Sequence, residues 1–218
     1  MTTKSLNTQS QQISVLPARD EEILAEATRA FAQNGFRATD VQVIADALGI
    51  GKGTIYRTFP TKQALFLACA DRAMRRLQDS IHTASAQLTD PLERLKAAIT
   101  AYFQFFDNNS ELLELIIQER SEFKDRQKPT YFEHRDRSVG QWNEMFASLI
   151  RDGEAINIEP SKITDFISQQ LYGKLFTHYF TGSKTSLSQD TDCVIDLLFH
   201  GFLTGRTTDQ TKKVIPNP

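Results

Sequence analysis

An all-α fold is predicted by three observations. Apolar residues recur at helical spacing through nearly every segment beyond residue 17, no run shows sustained strand alternation bounded by turns, and helix-start and helix-stop residues punctuate the chain. The 218 residues suit one or two domains and can bury a real core, and a hydrophobic content of 40% is ordinary for a folded protein. Residues 1–17 are rich in Ser, Thr and Gln, carry Lys4 as their only charge and end at Pro17, which reads as a flexible arm.

The first helix is expected from about Arg19 to Gln33, with Ile23, Ala27, Ala30 and Phe31 facing inward and Asn34-Gly35 stopping it. Its acidic start, Asp20, Glu21 and Glu22, complements the helix dipole rather than forming a metal site. Thr39 announces a second helix, and Gln42 three residues on fits a capping box. Val41, Ile44, Ala45 and Leu48 then form one apolar face. Gly49 supplies the left-handed residue that ends this helix, and Ile50 plugs the corner. A third helix, Lys52 to about Phe59, has a narrow apolar stripe of Ile55 and Phe59 and a face of donors. So short a helix cannot stand alone, so its neighbour must hold it up and present its polar face.

A fourth helix starts after Pro60, capped by Thr61, and passes through Leu65, Cys69, Arg72, Arg76 and Leu77 to about Gln87. Its length suits a mechanical link between the head and what lies behind it. Pro91 opens the next helix at a favoured first-turn position, and Asn108-Asn109 breaks it. Later helices are expected over 111–126, 131–151, 161–179 and 189–204, with Gly153, Pro160 and Gly182 in or beside the connections. The polar stretch 205–218 should fray.

Two short helices joined by a glycine-marked turn, the second exposing donors, follow the logic of a helix-turn-helix, whose second helix enters the major groove of DNA. Here Gly35, Phe36, Thr39, Val41, Ile44, Ala45, Gly49, Ile50, Lys52, Gly53, Thr54, Ile55, Tyr56, Phe59, Lys62 and Leu65 stand in the register of one family pattern without a gap. The segment resembles the head of the TetR family of bacterial transcriptional regulators, a motif that covers about the first third of the chain. Two positions depart from that pattern. Gly51 stands where the family commonly has a serine, and Thr58 where it often has histidine or tyrosine.

Charge agrees with the motif. The formal net charge of −2 does not suggest nucleic acid, yet residues 1–77 hold ten Lys/Arg against seven Asp/Glu, and the remainder fifteen against twenty. Arg57 is the expected base reader, because guanidinium pairs bidentately with guanine. Thr54 is expected at a thymine methyl or a phosphate, and Gly53 lets the backbone approach closely. Thr39, Lys52, Tyr56 and Lys62 are expected at phosphates by chemistry and by the resemblance. Gln42 and Thr58 complete the candidate DNA-binding set.

One head offers too few contacts for operator-level affinity, so a homodimer on a near-palindromic double-stranded DNA operator is expected. The last helix is apolar around most of its circumference and must be covered on two sides. The resemblance implies that the last two helices pair across a dimer, which nominates Phe166, Leu171, Phe176, Val194, Leu198, Gly201 and Phe202. Between head and dimer helices lies an aromatic-rich region, and Tyr102, Phe103, Phe106, Phe123, Trp142 and Phe146 are the candidate lining of a pocket for a small-molecule effector. The resemblance implies that such an effector resets the spacing of the two heads and most often relieves repression.

The divisions expected are an arm (1–17), a DNA-binding head (18–64), a helical effector-binding and dimerisation region (65–204) and a tail (205–218). Glu119 and Glu122, in the charge-dense run 118–126, read as ion-pair partners on a solvated helix. Cys69 and Cys193 read as buried reduced thiols. No cofactor and no metal is expected, and no enzyme. Glu-x-x-His pairs, a G-x-S-x-G elbow and a P-loop are all missing. No apolar run approaches the roughly 18 residues of a membrane span, so a cytoplasmic protein is expected. The competing class is a helical protein-interaction adaptor, against which the Lys52, Tyr56, Arg57 and Lys62 donor array argues.

Overall fold

The computed structural model describes residues 18–183 and 185–203, leaving aside the side chains of Asp190 and Phe202. The expected arm and tail, and Thr204, lie outside the described residues. Among the described residues every regular element is helical, apart from an isolated antiparallel bridge between Ala155 and Leu203. In order they are α1 (Ala18–Ala38), α2 (Val41–Ala47), α3 (Lys52–Thr58), α4 (Lys62–Ser85), α5 (Pro91–Asn108), α6 (Ser110–Glu122), α7 (Thr130–Arg151), α8 (Pro160–Phe180), a 3-10 turn (Leu187–Asp190) and α9 (Thr191–Phe202).

The first core belongs to the head. Ile23, Leu24 and Phe31 of α1, Ile44 of α2, Ile55 of α3 and Leu65 and Phe66 of α4 are all fully buried together. Gly35 adopts φ 79°, ψ 159°, a backbone only glycine tolerates well, so the main run of α1 stops there and a separate turn carries on to Ala38. The cap of α2 differs from the Thr39 expectation. Asp40, with extended backbone, accepts from the Gln42 amide at 2.9 Å, while Gln42 turns its own side chain to Asp46 at 2.7 Å. Thr39 is buried instead, donating its hydroxyl to the carbonyls of Gly35 (2.7 Å) and Ala30 (3.2 Å). A carboxylate satisfies an N-terminal amide better than a hydroxyl already engaged elsewhere.

Gly49 (φ 63°) then turns the chain, and Ile50 donates its amide to Ala45 and packs on the head core. The 24 residues of α4, capped by Thr61 through the Ala64 amide, span about 36 Å and enter both cores. Leu65, Phe66 and Cys69 pack in the head, whereas Ala73, Met74 and Leu77 pack in the body.

The second core joins the rest of α4 to α5–α9, with Phe103, Phe106 and Phe146 among its buried rings. α6 runs from 110 to 122 rather than to 126, because Phe123 leaves helical geometry at φ −116°, ψ 61°. That departure swings Phe123 away from the body. Its ring lies 4.9 Å from Phe36 and 5.4 Å from Phe66, inside the head's aromatic cluster. Leu115 is buried in the same head core, and Gln118 donates to the Phe31 carbonyl at 3.0 Å. The head is therefore closed by α6 as well as by its own helices.

Glu119 is buried rather than solvated. Its carboxylate accepts from the amide and the hydroxyl of Thr130, each at 2.9 Å, and sits 3.4 Å from Arg126. Glu122, as expected, makes an ion pair, though its partner is the distant Arg37. The last helix begins at Thr191, later than expected, because Asp107 of α5 accepts from the amides of Leu187 and Ser188 and fixes a 3-10 turn before it. Of the two thiols only Cys69 is buried; Cys193 is exposed on α9.

Candidate nucleic-acid interface and effector cavity

α3 is held to the head by one fully buried side chain, Ile55, with Phe59 following at its end. Of the remaining residues of α3, Tyr56 packs partly against the head core and the others turn toward solvent. Gly53, Arg57 and Thr58 are exposed, and Lys52, Thr54 and Tyr56 are half-buried. Among the described residues no side chain caps the N-terminus of α3, where Gly51 stands. A Cβ built on Gly53 would meet nothing within 4 Å, so no crowding inside the chain calls for glycine there.

Two expected phosphate binders have internal duties. Thr39 is a buried brace between α1 and α2, as described above. Lys62 donates to the carbonyls of Arg37 and Thr39, both at 3.1 Å, and its ammonium lies 4.8 Å from the Phe36 ring centre, so it closes the end of α1. Lys52 pairs with Asp40 at 2.8 Å, linking the first residue of α3 to the cap of α2. The Asp40 carboxyl lies below the usual carboxylate range, first because it accepts from the Gln42 amide and then because of Lys52. Asp40 was not foreseen as part of this surface; its position directly before Val41 was the available signal.

The body holds a cavity of two adjoining lobes, of about 450 and 620 Å³ of empty space counted out to their mouths. They share Ile81, Tyr102, Trp142, Thr164, Ser168 and Leu171. The first lobe continues over Leu95, Ile99, Phe146 and Ile167, and the second over Gln78, Tyr131, His134, Arg135 and Ser138. One end is thus aliphatic and the other polar. Of the candidate pocket residues, Tyr102, Trp142 and Phe146 line it. Phe103 and Phe106 do not; both are buried in the core on other faces of α5. Phe123 belongs to the head.

The second lobe's wall is cross-braced. His134, only 3% exposed, approaches Asp71 of α4 at 2.7 Å through Nε2 and Gln78 at 3.2 Å through Nδ1. The Gln78 amide donates back to the His134 carbonyl at 3.1 Å, so α4 and α7 are bound at the cavity. Asp71 also pairs with Arg75. The lining residues that sequence reasoning missed, Ile81, His134, Thr164 and Ser168, come from three helices and share no local pattern. Thr164, Ser168 and Leu171 do repeat at helical spacing on α8, but only the packing shows which way that face turns.

The candidate dimer residues divide. Phe166 is half exposed and Gly201 exposed, whereas Leu198 is buried within the chain, against the second core. Leu171 lines the cavity, Val194 and Phe176 are half-buried against the core, and the Phe202 side chain lies outside the described residues. The outward apolar side chains are Phe166, Tyr179 and Phe180 of α8 and Leu197 of α9, with Phe180 68% and Leu197 71% exposed. α8 therefore carries apolar groups both inward, at Ile163, Ile167 and Leu175, and outward.

Comparison with known proteins decides the family. The profile of bacterial regulatory proteins of the tetR family matches residues 23–69, and that of the tetracyclin repressor-like C-terminal domain matches residues 88–201, more than half the chain. The chain belongs to the TetR family. The proteins of this family regulate transcription and are not enzymes. The transcriptional activator FasR of Mycolicibacterium smegmatis is 33% identical over 103 residues, 46% of this chain and 47% of FasR, so the chain spans about half the length of that relative. The fold is also that of the fatty acid degradation regulator FadR from Bacillus halodurans, with a TM-score of 0.74, 20% identity, and coverage of 86% of this chain and 97% of that one. FadR from Bacillus subtilis in complex with stearoyl-CoA is similar too, with a TM-score of 0.69, 19% identity, and coverage of 83% and 98%. Among the described residues no helix is long and apolar enough to cross a membrane, and no three His, Cys, Asp or Glu side chains cluster as a metal site.

Proposed function

We propose that this TetR-family chain is a repressor that binds a near-palindromic double-stranded DNA operator as a homodimer and is released by a small-molecule effector seated in the body cavity. The observation that supports DNA reading is the outward face of α3. This helix of 7 residues, anchored by Ile55 with Tyr56 packed partly against the head core, carries Gly53, Thr54, Arg57 and Thr58 toward solvent, a face suited to a partner. In this reading Arg57 reaches a base edge, Thr54 and Thr58 touch a methyl or phosphate, and Lys52, Tyr56 and Gln42 take backbone phosphates. The cytoplasm, where the DNA lies, is the proposed place of action.

The outward apolar side chains of α8 and α9 supply the surface for a second copy, centred on Phe166, Phe180 and Leu197. Repression is the simpler direction, because a dimer covering an operator obstructs it without further contacts, although FasR is by name an activator. The two-lobed cavity suits an elongated apolar effector with a polar end, and stearoyl-CoA in FadR is a ligand of that shape. Such a ligand acts as a switch only if it favours one spacing of the heads over the other.

Selection of duplexes from a randomised pool tests the reading. A near-palindromic site with half-sites about one helical turn apart is expected. Enrichment of nothing above the starting pool would contradict it and favour the adaptor.

A further inference from the structure

The inventory of hydroxyl protons around the cavity is unequal. Thr164 donates to Asn143 at 2.6 Å, Ser168 to the Thr164 carbonyl at 2.8 Å and Ser138 to the Arg135 carbonyl at 2.9 Å, so each has an acceptor within the chain. Tyr102 and Tyr131 differ. Their hydroxyls are 3.0 Å apart and bond to each other, yet neither has another acceptor among the described residues. Two phenols hold two donors, and one mutual bond uses one of them. One O–H is left over, on a pair whose members are 5% and 7% exposed and which lines the second lobe.

Such a proton is costly to leave unmatched away from water, by an amount comparable to a hydrogen bond. The cavity's surplus is thus of donors, and its ligand must bring an acceptor. Charge narrows the class. Burial raises Tyr102 well above the ordinary phenol value and pushes Tyr131 up to about 12, so both present neutral O–H groups. The cation in the lobe's lining, Arg135, is paired with Asp136 and Asp165, and Arg75 behind His134 is paired with Asp71. A carboxylate seated at the phenols would also lose its water against the flanking Met74, Leu77 and Leu171, a cost that a neutral carbonyl largely escapes.

We infer that the cavity takes a ligand bearing a neutral carbonyl group, a ketone, ester or thioester, whose oxygen accepts the proton that the Tyr102–Tyr131 pair leaves over. The inference rests on the cavity being the effector site, and it adds what distinguishes one apolar ligand from another there. The aliphatic lobe takes the hydrocarbon part, and the paired phenols at the shared wall set where along the ligand the carbonyl must stand.

Calorimetric titration of the full chain with butylbenzene and with 1-phenylbutan-1-one provides the test, in the wild type and in the Tyr102→Phe/Tyr131→Phe double variant. Removing both partners of a buried hydrogen bond while keeping the rings is nearly neutral for stability, so the double variant should fold. Relative to the hydrocarbon, the ketone should bind about tenfold worse in the double variant than in the wild type, with butylbenzene affinity unchanged. An unchanged ketone-to-hydrocarbon ratio, with butylbenzene still binding, would overturn the carbonyl inference alone and assign the proton to a water. Binding of neither compound to the wild type would overturn the inference together with the effector site. The infrared carbonyl stretch of the ketone bound to the wild type gives a reading that needs no variant. A shift below its value in hexane is expected, and an unshifted band would overturn the inference.

Discussion

In the head, apolar groups turn inward and donors turn outward, whereas in the body a polar lobe and an aliphatic lobe adjoin in one internal space. α3 shows the first arrangement, with Ile55 fully buried and Arg57 exposed. The lobes between α4, α5, α7 and α8 show the second, with His134, Asp71, Gln78 and the Tyr102–Tyr131 pair bonded on one side and Leu95, Ile99 and Ile167 on the other. Outward donors suit a large polyanion that stays in water. Inward donors among apolar walls suit a small ligand that leaves it. The two regions are not independent, because α4 enters both cores and α6 sends Leu115, Gln118 and Phe123 into the head.

That linkage is open to attack. Phe66 and Phe103 are fully buried, one in each core, and truncating either to alanine should cost about 3–5 kcal/mol. Because α6 closes the head, Phe66→Ala should lower the melting of the whole chain in one calorimetric transition. A head that melts separately below an undisturbed body would break the claim that α6 binds the two together.

Next in size is Glu119→Ala. It strips the Thr130 amide and hydroxyl of their acceptor inside the fold and removes a partner of Arg126, and should destabilise by roughly 3 kcal/mol, read from the urea midpoint. Glu119→Gln should recover part of that loss, and an equal loss would shift the explanation from hydrogen bonding to packing.

Much of the head was legible because its signals are local. Gly49, Ile50, Thr61 and the apolar spacing of α2 each specify a neighbour a few residues away, and the structure has them where the pattern requires. Thr39 misled because two good cap residues stand side by side and only the path of α1 decides between them. The body was less legible for a physical reason. A phenylalanine on a helix looks the same whether it meets a cavity, a core or another element, and Phe146, Phe103 and Phe123 took those places in turn. Glu119 and His134 carried no sign of burial, since their partners lie 11 and 63 residues away.

A smaller effect is expected in acid. The Asp71 carboxyl is held below the usual range, chiefly by the hydrogen bond from His134, with Arg75 beside it. A carboxyl lowered in the folded state adds stability above its unfolded value of about 3.9, and that stability is lost as pH falls through the lower folded value. Asp71→Asn should therefore cost more at pH 5 than at pH 3 in urea unfolding. An equal cost at both would remove the α4–α7 brace from the account.

The gentlest comparison uses the two thiols, and alters no energy. Cys69 sits in the head core, where burial pushes its thiol up to about 12, while Cys193 is exposed on α9. A thiol reagent should modify Cys193 alone in the native protein. If α9 pairs with a second copy, that reaction should slow as protein concentration rises; a rate independent of concentration would move the dimer surface elsewhere.

The central claim is that the outward face of α3 reads DNA sequence, and fluorescence anisotropy tests it most directly. A duplex recovered by selection and a scrambled duplex would be titrated with the wild type and with Arg57→Ala at two salt concentrations. The account predicts that the wild type prefers the selected duplex, that Arg57→Ala loses about 1–3 kcal/mol of that preference, and that its binding to the scrambled duplex changes little. Undiminished discrimination by Arg57→Ala, or equal and salt-erased binding of both duplexes by the wild type, would contradict it.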